Sequence, residues 1–257
     1  MSVVGPEPGE SLDTLVGSWR VLQLLRGHRF SADDMLCAWA ARRARPAALN
    51  LLDLGAGIGS VGLMTLWHMP PQARLVMVEV QQVSHELAVR SLALNGLAQR
   101  VEARLGDLRD PASVPERGAY DLITCSPPYI PEGHGVASPV PQRAGARIEL
   151  RGDVFDYLLT AKRALAPGGR VALVHAASDL RPRLAIEQAG LALEWWCEVF
   201  FRLGRPASLA LYVAGHAGEL ETEPTPRPPV VLRDHEGRWS EVYLELRREL
   251  GYSDQGG

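Results

Sequence analysis

Residues 51–63, LLDLGAGIGSVGL, set three glycines, Gly55, Gly57 and Gly59, directly behind an apolar run that contains Asp53. Glycine tolerates positive φ and lets a backbone approach another group closely, so this spacing marks a tight turn from a strand into a helix. The N–H groups at the start of such a helix have no partner within it and face the turn. Glycines there serve packing, close approach of a ligand, or both.

From residue 50 to about 214 the same alternation repeats. LNLLDLG (49–55), ARLVMVEV (73–80), RVEARLGD (100–107), YDLITCS (120–126), GRVALVHA (169–176) and SLALYVAG (208–215) are short, β-rich and apolar. Segments 58–68, 82–95, 153–166 and 179–189 carry apolar residues at helical spacing instead. Parallel strands need crossover helices, so the pattern predicts an α/β fold: a doubly wound, mostly parallel sheet with helices on both faces. Nearly continuous apolar strands agree with a sheet buried on both sides. Ahead of the core, Ser31 followed by Asp34 opens an apolar-periodic helix with a capping-box pattern. The expected division is an N-terminal extension and helix (1–49), the core domain (50–216), and a linker with a short C-terminal helical element (217–257). Asn95 and Gly96 read as a helix C-cap.

Composition narrows the class. With 257 residues and 46% hydrophobic content the chain can build a full core. Cys37, Cys125 and Cys197 are odd in number and widely spaced, which suggests neither a disulfide framework nor a zinc site and fits a reducing cytoplasm. His28, His68, His85, His134 and His175 show no metal-ligand spacing, so no metal is expected. No apolar run approaches a membrane span, and the first residues do not read as a leader. A net charge of −3 disfavours an overall basic nucleic-acid binder. Yet 26 of the 27 basic residues are arginines, in local groups: Arg26 and Arg29; Arg42, Arg43 and Arg45; Arg143, Arg147 and Arg151; Arg202 and Arg205. They suit phosphate contact, although a GC-rich genome yields the same bias.

Two further acids extend the glycine turn. Glu79, at the end of the second core strand and twenty positions beyond Gly59, is placed to accept both hydroxyls of a ribose. Asp107, after the third, is placed to accept from the exocyclic amine of an adenine. The pattern D-L-G-A-G-I-G differs from the G-x-G-x-x-G of dinucleotide enzymes. An acid just before the turn suits a cationic amino-acid moiety better than a pyrophosphate. S-adenosylmethionine combines that cation with a ribose and an adenine. Here the sequence resembles the class I S-adenosylmethionine-dependent methyltransferases, whose first motif reads as 53–59 does. The resemblance implies a Rossmann-like sheet and a cofactor set of Asp53, Gly55, Gly57, Gly59, Glu79 and Asp107.

The fourth core strand runs into TCSPPYI, residues 124–130. Pro127 and Pro128 cannot donate to a sheet ladder, so the strand must stop. Such pairs also punctuate ordinary loops. In this position Ser126-Pro127-Pro128-Tyr129 resembles the [N/D/S]-P-P-[Y/F/W] motif of methyltransferases acting on an amino nitrogen conjugated to a planar system. In that resemblance the Ser126 side chain and the Pro127 carbonyl accept the amine hydrogens and Tyr129 stacks on the base. Ser126 stands where the RNA and protein branches usually have asparagine, and a hydroxyl is the shorter acceptor.

Flanking segments narrow the family. Residues 22–41, 146–175 and 228–246 are similar to the bacterial tRNA adenine-N6 methyltransferases, which act on adenine-37 of a valine tRNA. The likeness spans about residues 20–246, with Phe30 and Asp33 or Asp34 matching the family's FS-x-D segment near the cofactor. It implies tRNA as partner, a cytoplasmic monomer or homodimer, and substrate-binding roles for Pro128, Arg147 and Arg29. Arg147 and Glu149 match an AR-x-E element that helps close the substrate side; a solvated surface pair is the alternative. Glu194-Trp195-Trp196 reads either as packing or as a base-stacking platform. N5-methylation of a protein glutamine uses the same loop chemistry, and a noncatalytic RNA-binding protein that keeps the cofactor fold is a third reading.

Overall fold

A computed structural model of the chain describes residues 5–133, 138–220 and 223–252. His134 and positions 221–222 of the expected linker lie outside them. The chain opens with a hairpin, β1 (Glu10–Val16) and β2 (Trp19–Leu24), followed by α1 (Ala32–Ala44). The core alternation then runs β3 (Asn50–Leu54), α2 (Ser60–Trp67), β4 (Arg74–Glu79), α3 (Gln82–Leu94), β5 (Val101–Leu105) and β6 (Tyr120–Cys125). After a loop come α4 (Pro141–Arg147), α5 (Val154–Ala164), β7 (Leu165–Ala176), α6 (Arg181–Gln188), β8 (Leu191–Phe200) and β9 (Leu209–His216). Two-residue strands β10 (Thr225–Pro226) and β11 (Val230–Val231) and helix α7 (Glu241–Glu249) close the described chain.

The sheet order is β10-β8-β9-β7-β6-β3-β4-β5, with β11 also on β8. Strands β5, β4, β3, β6 and β7 are mutually parallel, and β9 runs antiparallel between β7 and β8. The doubly wound, mostly parallel sheet expected from the sequence is therefore what forms. Its strands alternate in the face they present: Leu51, Leu122, Ala172 and Val174 join the apolar cluster of α1, α2 and α3. Leu52, Ile123, Val171 and Leu173 join that of α5 and α6. Period-two alternation on a sheet covered from both sides explains why nearly every strand position is apolar. Because β3 is flanked by β4 on one side and β6 on the other, strand order reverses there. The loops after β3 and β6 diverge from that point and open a crevice.

Three features were less legible. Val16 pairs with Trp19 around Gly17, whose φ of 52° makes it the tight turn of the hairpin. The hairpin is fixed to α3 by Ser91 Oγ, which accepts from Leu22 N (3.0 Å), and by Asn95, which exchanges hydrogen bonds with the Arg20 backbone. Asn95 thus ends α3, as read, and also clamps β2. Strand β8 carries Glu194 and Glu198, and its pairing shifts between Leu193 and Trp195, which breaks its alternation. Trp195 is buried there and Trp196 is covered by the Arg183 guanidinium at 4.4 Å, so both tryptophans pack and neither offers a stacking face. Finally, α7 docks on α1: Glu249 accepts from Trp39 Nε1 (3.0 Å) and Arg43 (2.8 Å).

Candidate active site at the switch in strand order

The glycine turn after β3 has the predicted backbone. Gly55, Gly57 and Gly59 hold φ of 66°, 57° and 87°, a region other residues rarely adopt. A Cβ on Gly57 would meet nothing within 4 Å, so this backbone faces open space. That space is a cavity lined by Gly55–Ile58, Glu79, Asp107, Asp53 and Asp34, with Ser126 and Pro128 at one end.

Each acid sits there differently. Glu79 is buried and accepts from Gly57 N (2.8 Å) and Gln81 N (2.7 Å), one bond to each carboxylate oxygen. Each oxygen keeps a further lone pair, enough for two hydroxyls. Asp107 is clasped by the Arg109 guanidinium (2.6 Å at the shortest), which holds its carboxyl below the usual range and leaves it an ionised acceptor. Asp53 is spoken for internally: one oxygen accepts from Gly62 N (2.9 Å), the other from Thr124 Oγ1 (2.6 Å). It brackets the start of α2 to β6. Asp34, at the N-terminus of α1, accepts from Ser60 Oγ (2.6 Å) and Ser31 N (2.9 Å), and so brings a second carboxylate to the same floor. The expected FS-x-D residue at this cavity is Asp34; Asp33 turns away from it.

Burial pushes the Asp53 carboxyl up to about 7, and burial, reinforced by neighbouring Asp33, raises Asp34. Burial raises Glu79 as well. These groups bind protons more tightly folded than unfolded, so their contribution is present at low pH and is lost as pH rises through the folded value. Burial lowers His28, His68 and His175, the last to about 4, so they oppose folding at low pH, and that cost is relieved as pH rises through about 6.5. As pH rises through this range the two effects oppose each other, the carboxylates losing stability while the three imidazoles restore it. A cationic ligand facing Asp53 and Asp34 favours their ionised forms, so its affinity should rise from about pH 6 to 7.5 in calorimetry, and an affinity that falls would contradict this account.

A second cavity opens on the other side of Ser126, lined by Leu25, Arg26, His28, Arg29, Asp33, Pro127, Tyr129, Arg143, Arg147 and Phe201. Ser126 belongs to both cavities, and its half-buried hydroxyl makes no hydrogen bond among the described residues. Tyr129 donates to Asp33 Oδ2 (3.1 Å) and meets His175 edge-on, ring centroids 5.5 Å apart, so its ring is held from two sides. Helix α4 is the partition. Gln142 and Gly145 face the first cavity; Arg143 and Arg147 face the second. Gln142 fixes it, accepting from His28 N (2.6 Å) and donating to Ser84 Oγ (3.1 Å).

Ser126, Pro127 and Tyr129 are thus brought together with Arg29 and Arg147. Pro128, expected on the substrate side, lines the other cavity, because consecutive prolines turn the chain and point to opposite walls. Arg29 is engaged by Asp13 of the hairpin (3.0 Å). Glu149, expected beside Arg147, is gripped instead by Arg181 (2.7 and 2.9 Å), which also holds Asp179 behind His175. Gln142, Tyr157 of α5, which lines the first cavity, His175 and Phe201 were not foreseen; of these only Gln142 had a signal, its place in the arginine-flanked segment that follows the loop.

A family profile described as methyltransferase small domain matches residues 40–189, more than half of the chain and all of the glycine turn, Glu79 and the Ser126–Tyr129 loop. The chain belongs to this family. The methyltransferase small domain thus places a methyl-transfer enzyme on the geometry above. Similar curated proteins include the tRNA1(Val) (adenine(37)-N6)-methyltransferases of Aeromonas hydrophila and a Shewanella species. The first is 29% identical over 82% of this chain and 85% of that protein, the second 26% over 86% and 96%. The resemblance drawn from the flanking motifs is borne out by these relatives. The release factor glutamine methyltransferase of Mycolicibacterium smegmatis is 31% identical, over 55% of this chain and 51% of its own. Among solved structures, one described as a predicted O-methyltransferase from Agrobacterium tumefaciens superposes with a TM-score of 0.65 at 19% identity, covering 86% of this chain and 98% of that one. P. horikoshii TYW2 in complex with MeSAdo gives 0.55 at 15%, over 81% and 71%. At such identities these two show the shared methyltransferase fold. Among the described residues no helix is long and apolar enough to cross a membrane, and no cluster of His, Cys, Asp and Glu is arranged to hold a metal.

Proposed function

We propose that this chain is an S-adenosylmethionine-dependent methyltransferase that transfers its methyl group to the exocyclic N6 of adenine in tRNA, with adenine-37 of a valine tRNA as the target. The observation that carries this reading is the position of Ser126 in the wall shared by the two cavities, with Tyr129 on the far side. The tRNA enzymes of Aeromonas hydrophila and Shewanella align over most of this chain, the glutamine methyltransferase over about half of it.

The first cavity fits the cofactor's chemistry. Glu79 would take the ribose hydroxyls, Asp107 the adenine amine, and Asp34 with Asp53 the cationic amino-acid end. When bound, the cofactor supplies a methyl group on a sulfonium. The residues of this chain do the rest. The Ser126 hydroxyl and the Pro127 carbonyl, which accepts no hydrogen bond among the described residues, receive the two amine hydrogens and aim the nitrogen's lone pair through the gap between the cavities. Tyr129 fixes the plane of the base. The proton leaves after transfer, so no strong base is required.

Purified protein with labelled cofactor should methylate tRNA from cells lacking this gene, and nucleoside mass spectrometry should find N6-methyladenosine. Label that survives ribonuclease and follows protein would overturn the RNA assignment in favour of a glutamine acceptor.

A further inference from the structure

The acceptor cavity has a rim that the transfer chemistry does not use. Phe201, in the loop after β8, and Leu25, after β2, are large apolar side chains left 46% and 59% exposed at its edge. Three exposed arginines line the same opening: Arg26 from the hairpin exit, and Arg143 and Arg147 one turn apart on α4. None of these three guanidiniums makes a hydrogen bond or ion pair among the described residues. Elsewhere Arg104, Arg109, Arg170 and Arg181 each hold a carboxylate within 3 Å. In a chain of net charge −3, unpaired cations gathered around one opening point to a polyanionic occupant. The loop that presents Phe201 is anchored, Leu203 N donating to Arg233 O (2.8 Å) and Ser208 N to Val199 O (2.8 Å). The ring is therefore presented before anything binds.

We infer that Phe201 is a stacking platform for a base next to the target nucleotide, and that Arg26, Arg143 and Arg147 take the phosphates of the single-stranded loop carrying both. The inference rests on the RNA reading above and deepens it. A target base drawn in against Tyr129 leaves its neighbour unstacked at the mouth, and an exposed aromatic ring framed by cations accepts any base without reading its edges. The arginines supply salt-sensitive, sequence-independent attraction.

The test is direct binding of a fluorescent RNA stem-loop to the full-length protein saturated with S-adenosylhomocysteine. Phe201→Ala should weaken binding about tenfold and Phe201→Trp should restore it, while S-adenosylhomocysteine affinity stays unchanged in both. Changing Arg143 and Arg147 together to glutamine should lower the dependence of log Kd on log salt by about 0.7 per arginine, whereas Phe201→Ala should leave that slope alone. Equal affinity of wild type and Phe201→Ala, or a Trp variant as weak as the Ala variant, overturns the platform. Tight, Phe201-dependent RNA binding without methyl transfer would instead sink the catalytic assignment and leave the platform standing.

Discussion

Tyr129→Ala is expected to lower kcat by about 100-fold or more while leaving S-adenosylhomocysteine affinity within about twofold. The split follows from where the ring lies. It lines the acceptor cavity and is absent from the wall of the other, so its loss frees the base plane without touching the cofactor. The ring's setting is built in. Asp33, from the first turn of α1, receives the phenol proton, and His175 on β7 abuts the ring edge. Asp33 raises the phenol's proton affinity on top of burial, so the hydroxyl remains a donor at any working pH. Tyr129→Phe keeps the ring and loses only that hydrogen bond, and should retain activity within about fivefold. Steady-state kinetics on tRNA with calorimetry of the bound product separate the effects. If the Ala and Phe variants are equally impaired, the hydroxyl and not the ring carries the step, and the stacking role is wrong.

How far this site could be read in advance depends on the kind of signal each residue leaves. Gly55, Gly57 and Gly59 are legible because only glycine adopts their φ freely, and Glu79 because a carboxylate at the end of a buried strand needs a reason. The Pro127-Pro128 pair is legible because it stops a ladder. Asp53 was legible as a position but not as a part. An acid beside a glycine turn reads the same whether it only faces a ligand or, as here, also spends both oxygens on Gly62 N and Thr124 Oγ1. Glu149 was harder still, since its partner Arg181 is 32 residues away in sequence and arrives only when α6 packs behind β7. Phe201 left no signal at all. An aromatic residue ending a strand normally reads as core, and only the β8–β9 loop brings it to the rim. The fold was more legible than the site because periodicity is local, whereas the acceptor side joins the hairpin exit, α4 and the β8–β9 loop.

Gly55→Ala should cost both the fold and the cofactor site, with a melting temperature lower by about 10 °C and S-adenosylhomocysteine affinity down by 100-fold or more. Two effects add. At φ 66° an L side chain costs about 1–2 kcal/mol, and the new Cβ would stand 2.1 Å from the Tyr157 hydroxyl oxygen. Tyr157 is packed in α5 with Leu158, Ala161 and Val78 in the cluster on that face of the sheet, so the only open space for its ring is the first cavity that it lines. Either the ring enters the space a ligand needs, or the β3–α2 turn moves, and with it the backbone that Glu79 holds through Gly57 N. Adding Tyr157→Phe removes the nearest atom but leaves ring carbons at 2.8 and 2.9 Å, so the double variant should recover only part of the loss. Gly57→Ala is the contrasting case. Its φ of 57° carries the same backbone cost, but its Cβ enters open cavity. It should melt only a few degrees below wild type and still bind S-adenosylhomocysteine poorly, since the added methyl occupies the space a ligand needs. Thermal melts and calorimetry on the three variants divide the turn's structural role from its binding role. Equal melting temperatures for Gly55→Ala and Gly57→Ala would show that the clash with Tyr157 is relieved at no cost, and the rigid-turn account would fail.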